Sequence, residues 1–554
     1  MSAQQGPAVG CDPIHLGCNS SLTYSRPMSV SRRQVLLGGA LVATGVAVGS
    51  TGGWLARGPD DESERPVEVD VAVIGGGIAG TYCAWRLATS GPSAPSVALF
   101  ESSGRIGGRL WSQAVPPVTN QVAELGGTRI PSDHTAMLDL IRHLGLATIP
   151  FYASSPNTLV RLRGVRIRRG DVTRADQFPY DLPPRIARLS PDEIIALILR
   201  EVGIRGPLES AGLETGPWLA GLNYQGRPLW QMRATELLQA ILGREGAAFI
   251  SDWIGYEVPN IAASTWIGLV GAVAGANFVA VDGGYQRVPL AMADSAIQAG
   301  ASISTHQTLL AVQDADPTGV TLRISDSTNG LLTTVRAKSV ILGLPTSALR
   351  LLKRTSPALS ESRSLTLGLN HVIETGAIKA YLAYETPWWE SLALEPGRTV
   401  SDGPLKQTYY LPPDSAGRAL MLASYVFGNL ATGFWGSSVP DAGFDGPTSI
   451  TPEFSRQITA ALSDLHGIKV PPPIDGKVHW WGQQGGVGVP FWAEGIEPWK
   501  YWTQALSPAP GLPIHICGDS LSMNQGWANG AVATAEATLQ NSYALARPSW
   551  MTGS

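Results

Sequence analysis

The chain has 554 residues, of which 15% are charged, and a formal net charge of −4 at pH 7. This length exceeds one simple hydrophobic core, so at least two domains are expected. The low and nearly balanced charge argues against nucleic acid or an acidic membrane surface as a partner. The four cysteines (Cys11, Cys18, Cys83 and Cys517) lack the spacing of a metal site, and Cys83 and Cys517 are predicted to be core residues.

Residues 1–66 are predicted to form an N-terminal extension, an export signal and a linker. Residues 31–37 read SRRQVLL and precede a weakly apolar stretch, a pattern typical of a twin-arginine signal. The alternative is a short membrane anchor, which the glycines of that stretch disfavour. Met28 is expected to be the true start, because it would give the signal an ordinary shape. The twin-arginine export machinery is therefore an expected partner, and the protein is expected to be periplasmic or secreted.

An apolar strand at residues 71–74 leads into the sequence GGGIAG at residues 75–80 and then a predicted helix. Glycines at these spacings permit a tight turn, close approach of the backbone to a pyrophosphate, and close packing of helix on strand. A second apolar strand ends at an acid about 20 residues further on, where ribose hydroxyls are bound. An ordinary strand–turn–helix corner is the alternative, but strand, helix and acid together favour a dinucleotide. The predicted contacts are Gly75, Gly77, Ile78, Ala79, Gly80, Glu101 and Ser102.

Two further glycine motifs follow this acid. Residues 104–109 read GRIGGR, and residues 124–131 read ELGGTRIP. An enzyme that binds a nicotinamide cofactor does not need a second Gly-Gly-Arg after the ribose acid. Four further short motifs follow later in the chain: DGG at residues 282–284, a lysine within an apolar strand, GD at residues 518–519 and GW at residues 526–527.

In this order the motifs resemble the flavin-dependent amine oxidase superfamily, and most closely its L-amino acid oxidases and related amino acid monooxygenases. The resemblance covers almost the whole chain after residue 66. It implies an α/β fold, with a doubly wound, Rossmann-like FAD-binding domain and a substrate domain of mixed β-sheet and helices. The predicted ranges are residues 67–150, 280–350 and 511–545 for the FAD-binding domain, 151–279 (helical) and 351–510 (sheet) for the substrate domain, and 546–554 for a tail.

The resemblance also implies FAD as the cofactor and assigns its contacts. Arg109 matches an arginine near the pyrophosphate, Leu309 a position whose backbone meets the adenine, and Asp519 an acid that binds the ribitol chain. Trp527 and the helix start after it match the lid over the flavin ring. No cysteine corresponds to the covalent flavin tether of monoamine oxidases around residues 480–489, so non-covalent FAD is expected. The other implied contacts are Gly126, Gly127, Thr128, Arg129, Gly518, Gly526 and Ala528.

Five residues are predicted to act on the substrate. Lys379 matches the family's lysine that reaches flavin N5 through a water, and a buried lysine shifts its pKa readily. Arg129 matches the arginine that binds an α-carboxylate, since a guanidinium forms a bidentate fork with a carboxylate. Tyr409 and Tyr410 resemble a second carboxylate contact, and strand alternation lets only one of the two face the site. Trp527 is expected to contact the substrate as well as the cofactor.

These expectations define an FAD-dependent L-amino acid oxidase that converts an L-α-amino acid and O2 to an α-keto acid, ammonia and hydrogen peroxide. The alternatives are an amino acid 2-monooxygenase that gives an amide, an amine or polyamine oxidase, and an exported flavoprotein without turnover. The expected partners are a small-molecule amino acid and O2, with no nucleic acid; a homodimer is left open. The preferred side chain is not predicted, although Trp218, Trp230, Trp253, Trp266, Trp481 and Trp492 are candidates for an aromatic pocket.

Overall fold

The computed structural model describes residues 66–205, 215–257, 260–273, 277–436, 438–439, 444–482 and 488–552. The predicted export signal, Met28, Cys11 and Cys18 lie outside the described residues. The range Glu64–Ser554 is one compact unit. No helix in the described ranges is both long and apolar enough to cross a membrane.

The strands follow one another along the described chain as β1 (Val67–Ile74), β2 (Val97–Phe100), β3 (Ser112–Ala114), β4 (Val122–Glu124), β5 (Ile130–Pro131), β6 (Thr148–Phe151), β7 (Leu159–Leu162), β8 (Val165–Arg168), β9 (Asn223–Tyr224), β10 (Arg227–Pro228), β11 (Phe278–Val281), β12 (Ser302–Ser304), β13 (Gln307–Asp316), β14 (Gly319–Asp326), β15 (Leu332–Leu342), β16 (Val372–Thr375), β17 (Ala377–Tyr384), β18 (Gly397–Ser401), β19 (Gln407–Pro413), β20 (Ala419–Phe427), β21 (Asp475–Trp481), β22 (Val489–Trp492) and β23 (Ile514–Ile516).

The α-helices are α1 (Ile78–Ala88), α2 (Thr135–His143), α3 (Pro184–Ala187), α4 (Pro191–Glu201), α5 (Thr215–Ala220), α6 (Ala234–Ile254), α7 (Ala263–Val273), α8 (Arg287–Gln298), α9 (Thr346–Thr355), α10 (Pro357–Ser360), α11 (Arg363–Asn370), α12 (Asn429–Trp435), α13 (Pro452–His466), α14 (Pro498–Ala505) and α15 (Ala528–Tyr543).

The first large sheet is built from segments that are far apart in the sequence. Its order is β12-β2-β1-β15-β14-β13, and β23 also pairs with β15. β12, β2, β1, β15 and β23 run parallel, whereas β13, β14 and β15 form an antiparallel meander. Side chains of α1, α8 and α15 share one buried cluster with this sheet, and side chains of α9, α11 and α14 share another. Helices therefore cover both faces, and the predicted doubly wound α/β fold is confirmed.

The second large sheet has the order β21-β17-β20-β19-β18-β7-β8. Every residue of its strand β17 is buried. One face packs in a cluster with α4, α6 and α7, and the other face packs in a cluster with α13. Successive residues of a strand point to opposite faces, so each central strand of this sheet contributes to both clusters. The predicted substrate domain of mixed sheet and helices is thus also present.

Cys83 and Cys517 are both buried and form no disulfide. Their prediction as core residues is confirmed.

Candidate active site

A cavity of about 750 Å³ is lined by residues from both sheets. This volume lies within the range of about 300–1,000 Å³ of ligand pockets. One end is formed by the turn after β1, the end of β2 and the start of α15. The other end is formed by β17, β19 and β20, together with Tyr256, which follows α6. Cofactor-type and substrate-type residues therefore face one continuous space.

The turn between β1 and α1 shows why glycine is required there. Gly75 has φ +104°, a backbone conformation that side chains disfavour. A Cβ at Gly80 would lie 1.9 Å from the Gly75 carbonyl oxygen, whereas a Cβ at Gly77 would meet only the Gly108 Cα at 3.8 Å. Gly77 borders the cavity and Gly80 does not. The prediction that Gly80 contacts the cofactor is therefore wrong: its missing side chain lets α1 pack against the turn.

Glu101 lies at the end of β2, where the ribose acid was predicted. Its carboxylate accepts hydrogen bonds from the backbone N–H of Gly76 at 2.6 Å and of Ser103 at 2.8 Å. The side chain is buried and faces the cavity. These bonds fix the carboxylate beside the glycine turn, the position that a ribose hydroxyl would need.

Arg109 and Asp519 form an ion pair at the cavity wall, with the Arg109 Nη1 3.1 Å from an Asp519 oxygen. The backbone N–H of Gly526 also donates to Asp519, at 3.2 Å. Nearby, the Gln525 Oε1 is buried and has no hydrogen-bond partner among the described residues, although Gln525 faces the cavity. An orphaned acceptor in this position fits a bound group with hydrogen-bond donors, as the ribitol and the ring edge of a flavin dinucleotide have.

Most of the predicted site residues border this one cavity. Tyr410 and Gly80 are the exceptions. The residues that border it are Gly75, Gly77, Ile78, Ala79, Glu101, Ser102, Arg109, Gly126, Gly127, Thr128, Arg129, Leu309, Lys379, Tyr409, Gly518, Asp519, Gly526, Trp527 and Ala528.

Lys379 is buried in the middle of β17 and reaches the cavity. Its Nζ donates to the Gly126 carbonyl oxygen and to the Thr128 hydroxyl, and it lies 4.7 Å from the centre of the Tyr425 ring. The pKa of Lys379 is lowered to about 7, chiefly by burial; the Glu124 charge opposes this shift and the Arg129 charge adds to it. Lys379 can therefore exchange a proton near neutral pH.

Arg129 is the centre of the substrate end. Its Nη1 donates to the Tyr409 hydroxyl at 2.7 Å and its Nη2 to the Tyr256 hydroxyl at 3.0 Å. Its Cζ also lies 4.7 Å from the centre of the Phe278 ring. None of the ion pairs between described residues includes Arg129. A guanidinium fork without an acidic partner can receive a carboxylate from a ligand.

The two adjacent tyrosines of β19 face opposite sides of the sheet. Tyr409 faces the cavity and Arg129. Tyr410 points into the cluster on the far side, where its hydroxyl lies 2.9 Å from the Thr399 hydroxyl and 2.7 Å from His466 Nε2. The prediction that Tyr410 binds substrate is therefore wrong, because strand alternation assigns the site to Tyr409.

The remaining wall at this end is aromatic and aliphatic. Its members come from separate segments without a local motif, so the sequence does not predict them as site residues. Of the six candidate tryptophans only Trp481 borders the cavity, and its Nε1 donates to the Leu125 carbonyl at 2.6 Å. The unpredicted wall residues are Phe151, Tyr256, Leu269, Leu422, Tyr425, Phe427, Phe444, Val489 and Phe491.

Comparison with known proteins agrees with this geometry. Residues 78–538 match the family of flavin-containing amine oxidoreductases. The chain belongs to this family. It is therefore a flavin-containing oxidoreductase that acts on amines, and the enzyme class predicted from the sequence is confirmed.

Individual relatives in the amine oxidoreductase family are distant. An L-amino-acid oxidase of Mus musculus is 25% identical, over 85% of this chain and 71% of the relative. A tryptophan 2-monooxygenase of Rhizobium radiobacter is also 25% identical, over 84% of this chain and 64% of the relative. A structure of putrescine oxidase bound to putrescine superposes with a TM-score of 0.63 at 21% identity, over 86% of this chain and 100% of that chain. The structural match shows a shared fold.

Proposed function

We propose that the protein is an FAD-dependent L-amino acid oxidase, which converts an L-α-amino acid and O2 to an α-keto acid, ammonia and hydrogen peroxide. The observation that carries this proposal is Arg129. Its guanidinium is buried at the cavity wall, is held by two tyrosine hydroxyls, and has no carboxylate partner among the described ion pairs. A simple amine has no anionic group to place there, whereas an amino acid does. The L-amino-acid oxidase and the tryptophan 2-monooxygenase among the relatives support the same substrate class.

FAD is the proposed cofactor, bound without a covalent bond. The glycine turn at Gly75 and Gly77, the Glu101 carboxylate and the orphaned Gln525 oxygen fit its pyrophosphate, ribose and ribitol parts. These residues would hold FAD, which would supply the acceptor for the hydride of the substrate's α-carbon. The protein binds and orients the amino acid at a fixed distance and angle, which supplies much of the rate.

The wall beyond Arg129 indicates which side chains are accepted. The acids that border the cavity are Glu101 and Asp519, and both lie at the dinucleotide end. Around the substrate end, aromatic and aliphatic side chains such as Phe151, Phe427 and Phe491 form the wall. Burying a charged side chain there without a partner would be costly. We therefore propose large apolar, including aromatic, L-amino acids as substrates.

The product distinguishes this function from its closest alternative. An amino acid 2-monooxygenase would share Arg129 and the cavity, but it would release an amide in place of the keto acid. Incubation of the purified flavoprotein with L-phenylalanine and O2 is expected to give phenylpyruvate, ammonia and hydrogen peroxide in equal amounts. Phenylacetamide as the main product would establish the monooxygenase.

Lys379→Met is expected to slow the reaction of the reduced enzyme with O2 by about 100-fold, within the usual range for a lost acid–base group. Flavin reduction by the amino acid is expected to change little. In the wild type a protonated Lys379 favours the build-up of negative charge as O2 is reduced. The rate of reoxidation is therefore expected to fall as pH rises through about 7, the pKa of Lys379. Stopped-flow reoxidation from pH 5 to 9 measures both effects.

The matched control for this variant is Lys477→Met, on the neighbouring strand β21. Lys477 is partly exposed and its Nζ lies 3.4 Å from the Ser449 hydroxyl, away from the cavity. The Lys477→Met variant removes a lysine from the same sheet and is expected to be reoxidised at the wild-type rate. Reoxidation of Lys379→Met at the wild-type rate with the wild-type pH profile would remove Lys379 from the oxygen reaction.

We also propose that the protein is exported by the twin-arginine route to a periplasmic or extracellular location. Arg32 and Arg33 and the apolar stretch after them support this proposal. A non-covalent flavin is captured by folded protein before export, and this route carries folded cargo. Replacing both arginines with lysine is expected to leave the flavoprotein in the cytoplasmic fraction. Export of that double variant at the wild-type level would contradict the proposal.

A further inference from the structure

The Tyr256 hydroxyl lies on the same guanidinium that is proposed to bind the substrate's carboxylate. The chain leaves α6 through Gly255, which has φ +72°, and this turn brings Tyr256 to the cavity wall. There Arg129 Nη2 donates to the phenolic oxygen at 3.0 Å. The ring packs edge-on against Tyr425 and Phe427, with centroid distances of 5.9 and 5.6 Å.

Gln407 and Tyr425 also share hydrogen bonds with the Tyr256 side chain. The Gln407 Oε1 accepts from the Tyr409 hydroxyl at 3.0 Å and from Arg398 at 3.3 Å, and its Nε2 donates to the Gly255 carbonyl at 3.1 Å. Tyr256 therefore lies in a network that is anchored by the guanidinium groups of Arg129 and Arg398.

The charges around Tyr256 favour the phenolate. Burial raises the pKa of Tyr256, but the charges of Arg129 and Arg398 and the hydrogen bonds from Gln407 and Arg129 outweigh it and lower this pKa below its usual value. The other titratable groups facing it are Tyr409 and Tyr425, while the Lys379 Nζ lies over the Tyr425 ring. Glu257, the next residue along the chain, lies against Gly428 instead.

An amino acid in solution is a zwitterion, and only its neutral amine can release a hydride from the α-carbon. The site therefore needs an anion that pairs with the ammonium group and takes its proton. No Asp or Glu among the described residues borders the substrate end of the cavity, because Glu101 and Asp519 lie at the dinucleotide end. A carboxylate on Arg129 places the amine, which shares the α-carbon, next to the groups bound to the same guanidinium.

We propose, on the basis of the function proposed above, that Tyr256 is the base that accepts the proton of the substrate's ammonium group. The Arg129 cation and the Tyr256 phenolate then match the two charges of the zwitterion. The nitrogen–hydrogen bond breaks, a phenol oxygen–hydrogen bond forms, and the electron pair stays on the amine nitrogen. Tyr256 returns the proton to solvent after the product leaves, so no further reactant is needed.

Tyr256→Phe tests this assignment through the pH dependence of anaerobic flavin reduction by L-phenylalanine. In the wild type the rate falls as pH drops through the pKa of Tyr256. In the variant the rate instead falls below the pKa of the free ammonium group, so the acidic side of the pH profile moves to more alkaline pH. At pH 7 the rate is expected to fall by about 100-fold. Tyr409→Phe, which removes the other hydroxyl that binds Arg129, is expected to weaken substrate binding. It is expected to leave the pH at which the rate of flavin reduction falls unchanged.

A second measurement does not depend on turnover. α-Methyl-L-phenylalanine carries the ammonium group but has no α-hydrogen, and 3-phenylpropanoate has the carboxylate alone. Binding of the first to the wild-type flavoprotein is expected to decrease ultraviolet tyrosinate absorbance, and binding of the second is expected to leave it unchanged. Tyr256→Phe is expected to abolish this decrease in absorbance. It is also expected to weaken the binding of α-methyl-L-phenylalanine but not that of 3-phenylpropanoate.

The outcomes separate the two proposals. If L-phenylalanine reduces the wild-type flavin and Tyr256→Phe keeps both the wild-type pH profile and the absorbance change, the base is another group and the assignment to Tyr256 is overturned alone. If no L-amino acid, including L-phenylalanine, reduces the wild-type flavin, both the proposed function and the assignment of the base to Tyr256 fail.

Discussion

Replacing Arg129 with methionine is expected to lower kcat/KM for an L-amino acid by about 100- to 1,000-fold. Truncating one partner of a buried, hydrogen-bonded charge pair costs about 2–5 kcal/mol, and each 1.4 kcal/mol is a factor of ten. The variant also leaves the Tyr256 and Tyr409 hydroxyls without their shared donor. Steady-state kinetics with L-phenylalanine and with phenylethylamine measures the effect. The amine has no carboxylate to place on Arg129, so its slow turnover is expected to be the same in the variant as in the wild type.

Arg142→Met is the matched control for this variant. Arg142 lies in α2, shortly after Arg129 in the chain, and its exposed side chain pairs with Asp139 at 2.7 Å. Asp139 is buried but keeps two hydrogen bonds from Thr552 when Arg142 is replaced. An ion pair of an exposed arginine contributes about 0–1 kcal/mol, so wild-type kinetics are expected. Equal losses for amino acid and amine in Arg129→Met, or undiminished turnover of the amino acid, would contradict carboxylate recognition at this residue.

Gly80→Ala is expected to yield protein that holds little or no flavin and has a lower Tm. The new Cβ would lie 1.9 Å from the Gly75 carbonyl oxygen, and backbone on both sides of this contact prevents easy relief. Overpacking of buried sites costs about 1–3 kcal/mol and sometimes more, and here the strain falls on the dinucleotide turn itself. Flavin absorbance per protein and thermal unfolding measure both effects.

Gly77→Ala and Gly268→Ala are the controls for that variant. At Gly77 the new methyl group meets only the Gly108 Cα at 3.8 Å but enters the space assigned to the pyrophosphate. It is expected to leave Tm of the flavin-free protein unchanged and to weaken flavin binding. At Gly268, in α7, nothing lies within 4 Å, and both properties are expected to be kept. Full flavin content in Gly80→Ala would show that close packing of α1 on the turn is not needed.

The cofactor half of the site was largely predictable from the sequence. Its chemistry depends on backbone conformation, and the residues that permit it are locally recognisable. Gly75 has a positive φ, Gly77 leaves open space, and Glu101 follows at a fixed distance after β2. The same reasoning assigned Gly80 to the cofactor. The motif shows that glycine is required at this position, but it does not show whether the cofactor or the packing of α1 on the turn requires it.

The substrate half was only partly predictable. Arg129 and Lys379 belong to short motifs, but Tyr256 follows a helix far from both in the sequence and reaches Arg129 only through the tertiary fold. The choice between Tyr409 and Tyr410 stayed open in the sequence for a different reason. Both faces of β19 are buried, so hydrophobicity does not reveal which tyrosine points to the cavity, and only the position of β19 within the sheet decides it.

The most direct test of the central claim is anaerobic mixing of the purified flavoprotein with each of the twenty L-amino acids and, separately, with the corresponding decarboxylated amines. Loss of the oxidised flavin absorbance reports reduction without any contribution from O2. We predict rapid bleaching by large apolar L-amino acids and little or none by their amines, because only the amino acids can engage Arg129. Bleaching by the amines alone would contradict the account and leave an amine oxidase in its place.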